Sequence, residues 1–293
     1  MEKKVTVKDV AKAAGVSVAT VSYVMNDRTD QKISPETKKK VLQIANLMNY
    51  RPSHAAKSLA TGRNNIIGVA YTLNEITPSR NIEITTFINL LIERFKRMKY
   101  EVLFIPMSDS EENPTILING NIDAIIAIDL KHELFSKLAD SYLVPVIGVD
   151  MLIQDDLFYQ IYTDYPSLIA QAMPEKDTYL LLDSFSNMNY QNYITDGFSK
   201  EHILYYADMT SDKLRSFYDC HMIIIGIHLA LIALPYLNPT HVTVIASGQN
   251  HILLPPDIHV ISSDPLKKAN LTINILLNAL DRNFELNHDL KVL

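Results

Sequence analysis

The sequence predicts an all-α helix-turn-helix head at the N-terminus, followed by an α/β body of two doubly wound lobes. Three observations carry this. Capping residues and helical apolar spacing crowd the first fifty positions. From Ile66 onward, short β-branched runs alternate with amphipathic stretches, and the series is played twice. Charge divides at the same place: residues 1–63 hold twelve Lys and Arg against five Asp and Glu, whereas residues 64–293 hold fifteen against twenty-eight. The head is therefore +7 and the body −13 within a chain of net −6. A basic head on an acidic body points to a polyanionic partner for the head alone.

The 293 residues suit about two domains, and 47% apolar against 20% charged residues excludes a disordered or fibrous chain. One cysteine, Cys220, excludes a disulfide framework and fits a reducing, cytoplasmic setting. MEKKVTVKDV has no apolar run of the secretory kind. The longest apolar stretch, Met222–Leu234, contains His228 and falls short of the ~20 residues of a spanning helix. The expectation is a soluble intracellular protein with no membrane partner.

Within the head, Thr6 and Asp9 make an N-cap and an acidic first turn, Val7, Val10, Ala11 and Ala14 recur at helical spacing, and Gly15 ends the helix. Ser17 caps a second helix, Val18–Met25, that buries Val21 and Val24 and leaves Val18, Ala19, Thr20, Ser22, Tyr23 and Asn26 outward. Ser34-Pro35-Glu36 opens a third helix that runs through Val41, Ile44, Ala45 and Met48 to Arg51-Pro52. Two short helices joined at a glycine, with a third across them, form a helix-turn-helix.

The run Val5–Ser17, then Ala19-Thr20-Val21-Ser22, Asn26, Tyr50-Arg51-Pro52 and Ala55–Ala60, resembles the head of the lactose-repressor (LacI/GalR) family without a gap over about residues 5–62. That resemblance implies a homodimeric repressor on a pseudo-palindromic double-stranded DNA operator, located on the bacterial nucleoid. It places Val18, Ala19 and Tyr23 at base edges in the major groove, and Ser17, Thr20, Ser22, Asn26 and Tyr50 at phosphates. Two aliphatic readers offer contact with thymine methyls rather than bidentate hydrogen bonds, so discrimination at the outer half-site positions is expected to be modest. Residues 53–61 match the family's hinge helix, with Ala56, Lys57, Leu59 and Ala60 at the minor groove and Leu59 as the wedge at the central base step. The expected domains are 1–51 for the head, 52–63 for the hinge and linker, and 64–293 for an effector-binding and dimerisation body like a periplasmic binding protein. Its first lobe is expected over about 64–162 and 263–284, its second over about 163–262 and 285–293.

Body strands are read at Ile66–Tyr71, Glu101–Pro106, Ile122–Asp129, Val144–Asp150 and Tyr159–Thr163, then near Tyr179–Asp183, Ile203–Tyr206, Met222–Gly226, Val242–Ala246 and Ile258–Ser262. Helices are read at Glu83–Lys99, Glu111–Ile118 and His132–Ser141, then near Tyr190–Ser199, Asp212–Tyr218, His228–Leu234 and Pro265–Asn283. Such alternation gives parallel sheets with ligands at the carboxyl ends of the strands. The residues expected on that side are Tyr71, Thr72, Asn74, Asp129, Asp150, Asp183, Ser184, Asn187, Asn189, Tyr190 and Gln249.

The chain departs from the family pattern in this cleft. Where the resemblance implies an Arg and an Asp that grip hydroxyls, the sequence has Ile194 and Ile227. The effector is therefore a sugar or sugar derivative in a rebuilt site, a protein corepressor, or absent altogether. A rival class is a solute-binding or enzymatic α/β protein with a vestigial head. No His or Cys set has metal-ligand spacing, and no phosphate loop, nucleophile elbow or triad is present, so no catalytic residue, metal or cofactor is assigned.

Overall fold

The structure, a computed structural model, describes residues 5–26, 31–50, 63–108, 121–174, 176–248, 253–283 and 289–293. The chain divides into two compact units, Met1–Asn64 and Asn65–Leu293.

In the first unit, α1 (Val7–Ala14), α2 (Val18–Met25) and α3 (Pro35–Leu47) form where local chemistry places them. Thr6 and Asp9 make a reciprocal capping box, in which the Thr6 N–H donates to the Asp9 carboxylate at 2.9 Å. Gly15, at φ 65°, supplies the left-handed residue that turns the chain into α2. Ser17 Oγ accepts from the Thr20 N–H at 3.0 Å, and Ser34 Oγ from Thr37 at 3.2 Å, each cap contributing about 1 kcal/mol. Val10, Ala11, Ala14, Val21, Val24, Val41 and Ala45 then close one small core among the three helices.

The second unit holds two all-parallel sheets. The first contains β1 (Ile66–Tyr71), β2 (Glu101–Pro106), β3 (Ala124–Ile128), β4 (Val146–Val149), β5 (Tyr159–Thr163) and β11 (Asp289–Val292), in the order β11-β5-β4-β3-β1-β2. The second contains β6 (Tyr179–Leu182), β7 (Ile203–Tyr205), β8 (Met222–Ile225), β9 (Val242–Ser247) and β10 (His259–Ser263), in the order β10-β9-β8-β6-β7. Central strands such as AIIAI of β3 and MIII of β8 are buried throughout, as a parallel strand covered on both faces must be. Helices α4 (Pro78–Arg97) and α10 (Pro265–Leu280) cover one face of the first sheet through Phe87, Leu91, Phe95, Ala269, Ile273 and Leu276. Helix α5 (His132–Ser141) covers the other through Leu134, Phe135 and Leu138. The second sheet is packed by α6 (Tyr165–Gln171) and α7 (Met188–Thr195) with Leu168, Ile169, Tyr190 and Ile194, and on its other face by α8 (Ser211–Ser216) and α9 (Ile227–Ala233).

Two points differ from the sequence reading. Residues 289–293 belong to the first lobe, not the second, because β5 offers an edge: Leu290 and Val292 pair alongside Ile161 and Thr163 and pack on the first-lobe core. Helix α4 starts at Pro78 rather than Glu83, which brings Ser79 and Arg80 into its first turn. Helix α6 begins directly after Asp164, which the family resemblance implies as a helix-capping position, although the Asp164 side chain accepts the Ser167 and Tyr193 hydroxyls rather than a backbone N–H. The helix expected over Glu111–Ile118 lies outside the described residues, as do Ala56, Lys57, Leu59 and Ala60 of the hinge.

Candidate nucleic-acid interface and interlobe cleft

In the head, α2 turns Val21 and Val24 inward, so Val18 and Ala19 are exposed and Tyr23 half-buried on its outer face. Ser17 and Thr20 pair their hydroxyls at 2.9 Å, and the Asn26 side chain donates to the Ser22 carbonyl at 2.8 Å. These local bonds hold the polar groups at the two ends of the helix in fixed orientation. No acidic side chain sits in the first turn of α2, where Ser17 Oγ takes up the Thr20 N–H. Tyr50 is half-buried, packed against the head core.

In the body, the carboxyl ends of β1, β3, β4 and β6 meet across the two lobes. Part of this space is a cavity of about 950 Å³, lined among others by Thr72, Asn74, Lys131, His132, Gln154, Ser186 and Asn189. Thr72, Asn74, Ser184, Asn187 and Asn189, expected on the cleft side from sequence, all line it. Tyr71 instead packs edge-on against Phe104, with ring centroids 6.5 Å apart. Tyr190 is fully buried in the second-lobe core and donates its hydroxyl to the Thr163 carbonyl at 2.7 Å, so it is a packing residue. Gln249 lies outside the described residues. Ile194 and Ile227 serve apolar packing, Ile194 in the core of the second lobe and Ile227 against it.

Asp129 and Asp150 are engaged by cations of the chain itself, and Asp183 by a backbone N–H. Arg80, only 4% exposed, donates Nε to Asp129 at 2.9 Å, Nη2 to Asp150 at 3.2 Å and Nη1 to Glu83 at 3.2 Å. Lys268 Nζ lies 2.9 and 2.8 Å from the two Asp150 oxygens and 3.0 Å from Thr163 Oγ1. Asp129 and Asp150 both take left-handed φ of 48°, a turn Asp tolerates, at the end of their strands. Asp183, in the second lobe, accepts the Arg80 backbone N–H at 2.9 Å and so caps the first turn of α4 from across the cleft. Thr77, the residue preceding α4, makes no side-chain cap of its own.

Sequence reasoning missed Arg80, Glu83 and Lys268. The available signal was Thr77-Pro78: proline at a first helical position would have put Arg80 in a helix N-terminal turn, where a cation is opposed by the dipole and needs acids nearby.

Burial pushes Asp129, Glu83 and Asp183 above the usual carboxylate range, opposed in each case by Arg80. Burial acts on Asp150 in the same sense, but Lys268 and Arg80 together outweigh it and hold its carboxyl low. The signs then follow. The three raised groups bind protons more tightly when folded, so they favour the native state increasingly as pH falls from neutral towards the ordinary carboxylate range. Asp150 contributes stability above its unfolded value that is lost as pH falls through its folded one. Urea midpoints of the full chain are therefore expected to rise on mild acidification and to fall steeply only at lower pH; a monotonic fall from neutrality would contradict this.

Among the described residues, no helix is long and apolar enough to cross a membrane, and no group of three or more His, Cys, Asp or Glu side chains could hold a metal ion. His221, next to Cys220, stacks on His241 with centroids 4.7 Å apart.

The chain thus combines a three-helix head with a body of two parallel α/β lobes. Residues 6–53 match the family described as "Bacterial regulatory proteins, lacI family". A fructose operon regulatory protein of Vibrio cholerae is 30% identical over 164 residues, 52% of this chain and 48% of that one. A sucrose operon repressor of Klebsiella pneumoniae is 31% identical over 181 residues, 58% and 51% of the two chains. The matched stretch spans about half the length of each curated relative. In fold, the chain is similar to a lac repressor dimer bound to operator and the anti-inducer ONPF, with a TM-score of 0.68, 19% identity, and coverage of 99% of this chain and 97% of that one. The head, residues 6–53, is thus similar to the lacI family of bacterial regulatory proteins, and the whole chain shares the fold of the lac repressor.

Proposed function

We propose that the protein is a sequence-specific DNA-binding transcriptional repressor that binds a pseudo-palindromic operator as a homodimer, without catalysis, in the bacterial cytoplasm. The observation that carries this reading is the outer face of α2, with an uncapped-by-acid N-terminus and exposed Val18 and Ala19, in a head of net +7. Val18, Ala19 and Tyr23 read bases, while Ser17, Thr20, Ser22, Asn26 and Tyr50 hold phosphates. Residues 52–63 act as a hinge, with Ala56, Lys57, Leu59 and Ala60 at the minor groove. The effector is a sugar or sugar derivative in the interlobe cavity, in keeping with relatives named for the fructose and sucrose operons. A second reading, a protein corepressor or no effector, is favoured by one observation: Arg80 and Lys268 already occupy the cleft carboxylates.

The test is selection of DNA from a random pool by the full chain at two salt concentrations. A two-fold symmetric consensus is expected; salt-sensitive, sequence-blind enrichment at both concentrations would reject the reading. On the selected site, Leu59→Ala is expected to reduce affinity by at least about tenfold through loss of the wedge, with the unfolding transition unchanged, as read by fluorescence anisotropy.

A further inference from the structure

We propose that Arg80 is an internal ligand of the interlobe cleft, a tethered cation that holds the two lobes closed with no small molecule present. Arg80 leaves the first turn of α4 in the first lobe, and its guanidinium makes three ion pairs there, to Asp129, Asp150 and Glu83. The same residue engages the second lobe twice. Its backbone N–H donates to Asp183, and its Cζ lies 4.4 Å over the Phe185 ring.

Asn187 extends the closure from the other side. Its N–H donates to Asp129 Oδ1 at 3.0 Å and its Nδ2 to the Leu130 carbonyl at 3.2 Å, while its Oδ1 accepts the Leu152 N–H at 3.1 Å. Asp129 is therefore shared between Arg80 of its own lobe and Asn187 of the opposite one. A third contact lies beside α9, where the Leu229 N–H donates to Ser79 Oγ at 3.3 Å. The approach is so close that Gly226, at φ 101°, has no room for a side chain: a Cβ there would sit 2.6 Å from Ser79 Oγ.

These contacts use the groups that a hydroxyl-bearing ligand would otherwise grip. A polyol reaching Asp129 or Asp150 must displace a buried guanidinium and leave it unpaired, which is costly in a water-poor site. A small molecule entering the cavity instead meets Thr72, Asn74, Gln154, Ser186 and Asn189. The lobe arrangement is thus set by the chain, and a ligand acts on an already closed body. The inference concerns the body alone, so its failure would leave the DNA reading untouched.

Two positions report on lobe separation in the full chain: Cys220, the single cysteine, in the second lobe, and Leu143→Cys, at a fully exposed site in the first. Both are spin-labelled, and the protein is diluted with unlabelled chain so that only distances within one chain are read by electron–electron resonance. The ligand-free parent is expected to give one narrow distance. Two variants are compared with it. Arg80→Gln/Asp129→Asn removes the charge pair at nearly constant volume. Asn187→Ala removes the side-chain bonds to the Leu130 carbonyl and the Leu152 N–H, along with the cap on the Tyr190 N–H, without unpairing any charge. Each is expected to add a population several ångströms longer. A single unchanged distance in Asn187→Ala, or in a cooperatively folded double variant, would overturn the proposal, as would a broad distribution in the ligand-free parent.

Discussion

Lys268→Met is expected to lower the unfolding free energy of the body by about 3–5 kcal/mol, the usual cost of leaving a buried carboxylate without its partner. Lys268 reaches both oxygens of Asp150, satisfies Thr163 Oγ1 and passes 5.0 Å from the Phe87 ring. Methionine keeps the length of the stem and its packing but removes the charge. Asp150 is then left with Arg80, which is already divided among three carboxylates. The urea midpoint of the body transition reads the effect. A loss below about 1 kcal/mol would mean that the pair is screened by water and behaves as a surface ion pair. Adding Asp150→Asn in the same chain should recover much of the loss, because the unpaired charge, more than the missing bond, is what destabilises.

The second large effect concerns the head. Val41 is fully buried where α3 crosses α1 and α2, in a core of seven residues. Val41→Asp places a carboxylate there with no cation among the core residues, and so small a domain has little stability to lose. The head is expected to unfold while the body, a separate compact unit, keeps its own transition. Affinity for the selected operator should fall by about 10³-fold or more, to the non-specific level. Circular dichroism and anisotropy on the same sample separate this from a contact defect: retained head structure with lost binding would show that Val41 acts at the interface rather than in the core.

The contrast between these two sites reflects what could be read in advance. Val41 was legible because the head is assembled from short-range signals. Thr6 with Asp9, Gly15, Ser17, and Ser34 with Pro35 each act within four residues, and helix bounds follow from them. The strands of the body were legible too, since a buried parallel strand is a bare apolar run. The cleft was legible in part. Strand-end Asp129, Asp150 and Asp183 were named, as were Thr72, Asn74 and Asn189, yet what holds the three carboxylates was not. Their partners come from sequence separations of 49, 70, 103 and 118 residues, and no local pattern encodes such a meeting.

Sequence by itself determined the helix-turn-helix, the alternation that builds two parallel lobes, and the outward set of α2, because each depends on caps and periods a few residues long. Tertiary structure alone decided the rest. The strand Asp289–Val292 joined the first sheet because β5 presented an open edge of matching register. Helix α4 began at Pro78, with Arg80 inside it, because Asp183 of the other lobe accepts an N–H that no neighbouring side chain could. Hydrogen bonding of buried groups is a property of the folded volume, and it drew Asp129 and Asp150 into an internal ion network and gave Asp183 a backbone N–H from the other lobe.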